Sequence, residues 1–186
     1  RIISELLKKM FPMLIYDIHG DYLGFIQKNK SLFPNNKVKL FYPNLSIKAE
    51  DKEIIYTLIE KLGKPLTEPQ NDYLNALINR VKHNDSSLVK YINNLVAQSK
   101  DYIRDRNSKS KGSSSGMEHI KVATMYVVNR SLSQVVKKLV SMEQTNFRHR
   151  KKMSNLKFEE LPDAVTEPEK IISKGQLSIL YLKGYE

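Results

Sequence analysis

Asp17, His19 and Asp21 lie close together in the run Tyr16-Asp17-Ile18-His19-Gly20-Asp21-Tyr22. Two carboxylates flanking an imidazole can hold a Mg²⁺-bound water, orient an attacking water, or sense the charge of a phosphate. Gly20 among them supplies a backbone turn with positive φ and no chemistry. Each residue also has a plainer reading. Asp17 can be a turn carboxylate accepting nearby backbone N–H groups, and Asp21 a helix N-cap with His19 in the turn before it. A second set is basic: Arg148, Arg150, Lys151 and Lys152 crowd a stretch, Glu143 to Lys157, that loses apolar periodicity. Such a cluster attracts nucleic-acid phosphates without sequence preference, and its plainer reading is a solvated loop.

Other chemistries find no carrier. The chain has no cysteine, which removes disulfides and thiolate metal sites, and its four histidines show no ligand spacing. No Ser-His-Asp or Cys-His nucleophile pattern can be read, and no paired-glutamate hydrolase signature. No G-x-x-x-x-G-K-[ST] occurs in the 186 residues, so a phosphate-cradling loop is absent from them.

The elements that position these groups follow from hydrophobic period. Met13 to Asp17 is a short apolar run after Pro12, which fits a strand buried on both faces of a parallel sheet. Its polar end is where open α/β sheets bind ligands. Before it, Ile2, Ile3, Leu6, Leu7 and Met10 form the apolar stripe of an amphipathic helix. Asp21 to Lys28 reads as a short helix, and Lys37 to Tyr42 as a second strand. From Asp51 the period is helical. One helix runs to Leu62, with Gly63 as its stop. Another spans Thr67 to His83, with Thr67 and Gln70 at capping-box spacing. A third is capped by Asp85 or Ser86 and reaches about Arg104. Residues 107–116 are a polar Ser- and Gly-rich break, read as a flexible loop, and the Gly112–Gly116 run also resembles an engineered joint. Met117 to Met142 is helical again, as one kinked helix or two, because Ser131 and Gln134 form a second possible capping box. Leu156, Phe158 and Leu161 read as anchors to the core. Thr166 and Glu169 cap a single turn, and Lys174-Gly175 turns into a final strand. Tyr73, Tyr91, Tyr102 and Tyr126 sit at helical positions and read as packing groups.

The D-x-H-G-[ED]-Y pattern at Asp17–Tyr22, behind a buried strand and a helix, resembles the HerA/FtsK-type P-loop ATPases, hexameric motors that move double-stranded DNA. The archaeal HerA branch has D-P-H-G-E-Y here; this chain departs from it at Ile18 and Asp21. Lys174-Gly175-Gln176-Leu177-Ser178-Ile179-Leu180-Tyr181-Leu182 is similar to the family's return strand. Together the two matches cover about a quarter of the chain. The resemblance implies part of a RecA-like α/β ATPase core, at 1–48 and 166–186, with a large mainly helical insertion at 49–165. It implies ATP and Mg²⁺ as cofactors of the intact parent, with neither held tightly by these residues alone. Asp17, His19 and Asp21 would then be catalytic, Asp17 through a Mg²⁺-bound water. Arg148, Arg150, Lys151 and Lys152 would meet double-stranded DNA. A homo-hexameric ring and a nuclease partner are further implications.

The totals are those of an ordinary globular chain, 40% hydrophobic and 27% charged. The formal net charge of +11 favours an anionic partner, against the alternative of a lysine-rich solvated surface. No apolar run has the length to span a bilayer and no signal peptide is visible, so a cytoplasmic location is expected. Arg1 opens inside a helical pattern and Glu186 follows a strand, so the residues read as a piece of a larger chain. The rival class is a non-catalytic basic helical module that binds nucleic acid or a protein.

Overall fold

A computed structural model describes residues 2–29, 31, 37–43, 53–81, 87–108, 120–162 and 167–185. The elements in order are α1 (Ile2–Lys8), β1 (Met13–Asp17), α2 (Asp21–Lys28), β2 (Val38–Tyr42), α3 (Glu53–Leu62), α4 (Glu68–Arg80), α5 (Leu88–Ser108), α6 (Val122–Lys152), β3 (Phe158–Glu160), α7 (Pro168–Ile171) and β4 (Leu177–Tyr181). The chain divides into two compact units, one of residues 1–44 with 142–186 and one of residues 45–141. The expected boundary before the return strand was residue 165; the sheet unit instead takes in everything from Met142 onward.

The first unit is α/β. Its four strands lie in the order β1-β4-β2-β3, and every pairing is parallel. β4 is central and buried along its whole length, as the continuous apolar run Ile179-Leu180-Tyr181 requires. Leu7 of α1 and Leu23 and Ile26 of α2 pack on the face made by Leu40, Leu177, Ile179 and Tyr181. Each such side chain contributes about 1.5–3 kcal/mol by leaving water, so Leu23→Ala, at a fully buried position, would cost about 2–5 kcal/mol. The opposite face carries Ser178, whose hydroxyl bonds the Ile171 carbonyl of α7. α1 ends in a Schellman turn: Phe11 N–H donates to the Leu6 carbonyl at 3.0 Å and Met10 N–H to that of Leu7 at 3.1 Å. Met10 takes the left-handed position itself, at φ 61°.

The second unit is helical among its described residues. α4 begins as its capping box predicts, with the Gln70 side chain accepting the Thr67 N–H at 2.9 Å. Tyr73, Leu74 and Leu77 of α4, Tyr91, Ile92 and Leu95 of α5, and Met125, Val128, Leu132 and Val135 of α6 form its core. Tyr73 hydroxyl meets Ser99 at 3.0 Å, so the buried phenol keeps a partner. Tyr91 is buried too, Tyr102 lies beneath the Arg80 guanidinium, and Tyr126 is exposed rather than packed.

Two elements also differ from the sequence reading. The basic stretch 143–152 is not a loop: α6 is one helix that passes through Ser131 and runs unbroken to Lys152. No glycine or proline interrupts residues 122–161. The inward period also persists beyond Leu139, but through Asn146, Arg150 and Met153, so a hydrophobic pattern does not register it. The other correction is β3, read only as anchor residues, which is a short parallel strand beside β2. The expected turn at Asn35-Asn36, the caps at Asp85 or Ser86 and at Thr166, and the segment 109–116 lie outside the described residues.

Candidate functional site

Because all four strands run the same way, their last residues, Asp17, Tyr181, Tyr42 and Glu160, share one edge of the sheet. Asp17 is paired in register with Tyr181 and is only 2% exposed. Its Oδ1 accepts the Gly20 N–H at 2.9 Å, and its Oδ2 accepts the Leu23 N–H at 3.2 Å. The carboxylate therefore closes the turn and satisfies a free amide in the first turn of α2, where the helix dipole favours negative charge. Its backbone carbonyl accepts the Leu182 N–H at 2.9 Å, tying the corner to the chain leaving β4.

Gly20 takes φ 83° as expected, a backbone conformation that favours glycine, and the space beside it is tight. A Cβ there would lie 3.3 Å from the Tyr181 ring. Gly20 is the N-cap of α2 and Asp21 its first helical residue, so the cap lies one position earlier than the plainer reading placed it. His19 and Asp21 are both exposed on this turn. The structure thus brings Asp17, His19 and Asp21 to one corner but gives them different environments: one buried anchor and two solvent-facing groups.

That geometry bears on Mg²⁺. An aspartate with both oxygens on backbone amides and almost no exposure does not fit a direct metal ligand. Among the described residues no group of three or more His, Asp or Glu is placed to hold a metal ion.

The basic residues separate in the same way. Arg148, Lys151 and Lys152 are exposed and, with Thr145 and His149, line a cleft of about 490 Å³. His149 is a member that the sequence cluster left out. Its Nδ1 is buried and has no hydrogen-bond partner among the described residues. The signal that could have found it is helical spacing, because Thr145 and His149 stand four apart. A cleft with three cations and no carboxylate in its lining suits an anion. Arg150 instead turns inward. Its guanidinium carbon stands 3.8 Å from the centre of the Tyr42 ring, and its Nε donates to Asn146 Oδ1 at 2.8 Å.

Asn146, 1% exposed, was not legible as a site residue at all. Its amide nitrogen donates to the carbonyls of Lys183 at 2.9 Å and Tyr181 at 3.3 Å. Close by, burial pushes the Tyr185 phenol up to about 12, helped by the Glu143 carboxylate and opposed by Arg150. Burial also raises Glu143.

No helix among the described residues is long and apolar enough to cross a membrane. No curated protein and no solved structure matches the chain. A family model does, over residues 1–186, and its description is "Helicase HerA, central domain". With a parallel sheet, the Asp17-to-Tyr22 turn at its carboxyl edge, and a match that spans the whole sequence, the chain belongs to the helicase HerA central-domain family.

Proposed function

We propose that this chain is part of a RecA-like, ATP-driven double-stranded DNA translocase or helicase, acting in DNA repair and end resection or in DNA packaging. The observation that carries the reading is the family match over residues 1–186. It is supported by a polar turn at the carboxyl edge of a parallel sheet, the place where such sheets receive ligands. Residues 45–141 would be the helical insertion, and the parent would work as a hexamer with a nuclease as a possible partner. Asp17 holds the turn in shape. His19 and Asp21, exposed on it, face the γ-phosphate of ATP or a neighbouring subunit and report its presence. A phosphate loop of the parent, absent from these 186 residues, would hold the nucleotide, and Mg²⁺ bound with it would supply charge neutralisation at the transferring phosphate. Arg148, Lys151 and Lys152 meet duplex phosphates.

The test is magnesium-dependent ATP turnover by the full-length parent. His19→Ala and Asp21→Ala are surface changes, so the fold should survive them. Each is expected to lower turnover by roughly tenfold to a thousandfold, as loss of one electrostatic element does. Unchanged turnover in both would refute the assignment of the turn. The 186 residues alone should show no turnover, and a clean preparation that hydrolyses ATP would contradict the reading. A basic helical module that binds nucleic acid or a protein without catalysis is the second reading. The exposed cations of the cleft favour it equally, and a parent without ATP turnover would select it.

A further inference from the structure

The corner that holds Asp17 and the helix that carries the basic cleft are joined by one continuous set of polar contacts, all within the sheet unit. Leu182, just past β4, is held from one side by the Asp17 carbonyl, through its own N–H at 2.9 Å. Its neighbours Tyr181 and Lys183 are held from the other side by the Asn146 amide nitrogen, at 3.3 and 2.9 Å. The Asn146 oxygen then accepts the Arg150 Nε–H at 2.8 Å, and the guanidinium carbon stands 3.8 Å from the ring centre of Tyr42, the last residue of β2. Both donors of the buried amide are therefore directed at the end of the central strand. The chain after β4 also approaches α6 too closely to admit a side chain at Gly184. Gly184 has φ 100°, and a Cβ there would sit 2.8 Å from the Asn146 nitrogen.

We propose that Asn146 and Arg150 are positioning residues that couple the Asp17 corner to the cations of α6. Arg148, Lys151 and Lys152 lie within two turns of Asn146 on one rigid helix. A shift of the β4 end, caused by what occupies the His19–Asp21 turn, must move Asn146 or break its two bonds to that strand. Either way the phosphate-facing cations are re-aimed. Arg150 opposes rotation of the helix about its own axis, because its guanidinium packs over Tyr42 of β2 while the bond to Asn146, on the same helix, holds the side chain in that orientation. A lysine has no Nε to bond Asn146 while its charge sits over the Tyr42 ring. Arg150 thus leaves the phosphate-contacting set to which its sequence neighbours belong.

The inference rests on the motor reading above, and the experiment separates the two. In the full-length parent, the affinity for a non-hydrolysable ATP analogue is measured with and without a saturating DNA duplex. Arg150→Lys and Asn146→Ala are compared with wild type. Wild type should show a change in analogue affinity of roughly 5- to 150-fold on adding duplex, the usual range of coupling between two sites. In both variants that factor should fall to about one, while duplex affinity and its salt dependence stay as in wild type. Arg150→Lys keeps a cation at a half-buried position, so it remains informative if Asn146→Ala fails to fold. Retention of the wild-type factor in Arg150→Lys overturns the proposal and reduces the network to a structural clamp. So does a salt slope lowered by about one in that variant, since Arg150 would then touch a phosphate. A wild-type protein that binds both ligands without coupling also overturns the proposal but leaves the motor reading standing. A protein that binds neither removes both.

Discussion

At the scale of single residues, the most informative group is Asp17, because its two oxygens are already occupied. Asp17→Asn keeps the shape but turns one acceptor into a donor that faces the N–H of Gly20 or Leu23. A buried donor left without an acceptor costs about 1–3 kcal/mol. Urea denaturation of the 186-residue chain should show that loss, and an unchanged midpoint would mean the carboxylate does not hold the turn. Tyr185 gives a pH test. Its folded value of about 12 lies above the ordinary 10.0, so the folded state keeps the proton longer than the unfolded chain does. Stability from this group is complete below about pH 10 and is lost as pH climbs toward about 12. Tyr185→Phe should make the alkaline fall shallower in denaturation midpoints taken across that window, and an identical fall would place the phenol in water. What was legible at this scale was chemistry written in consecutive letters: Asp17, His19, Gly20 and Asp21 all come to one corner. Asn146 was not legible. A lone asparagine becomes a site residue only when the fold brings strand-end carbonyls to it.

At the scale of elements, the strands β1, β2 and β4 were readable because each is a bounded apolar or alternating run. β3 was not, since three residues, two of them glutamate, carry no period; its place comes from pairing with β2. α6 shows the opposite difficulty. Its last three turns lost hydrophobicity without losing helicity, because Gln, Glu, Arg, Lys and Met are good helix formers and the cations favour a helix C-terminus. This bears on the proposed contact of the basic residues with DNA. On a loop, four cations would adapt to a duplex independently; on a helix, only those on the outer side can reach it. Changing Arg148, Lys151 and Lys152 together to Gln should therefore reduce the slope of log affinity against log salt by up to about three, one for each phosphate no longer neutralised. Duplex binding by the full-length parent, titrated at several salt concentrations, reads this directly. An unchanged slope would place the DNA path elsewhere.

At the scale of the molecule, the division at residues 44/45 and 141/142 has a physical basis. Residues 45–141 contribute one uninterrupted stretch of chain with its own apolar interior, from Ile55 and Ile59 of α3 to Leu139 of α6, while the sheet unit is built from two separated stretches. A change of period marked the beginning of the helical unit in the sequence. Its end could not be marked, because α6 crosses the boundary without a break in helical propensity. A contiguous segment with a complete core needs no contribution from the rest of the chain to fold. Residues 45–141 expressed alone should thus give a helical circular dichroism spectrum and a single cooperative thermal transition. Residues 1–44 have no such independence. Their strands β1 and β2 are joined only through β4, which arrives from the far end of the sequence, so this segment alone should show no cooperative transition. Calorimetry on both pieces checks the pair. A non-cooperative 45–141 would mean that the helical core is completed by the sheet unit, and the two would then have to be treated as one domain.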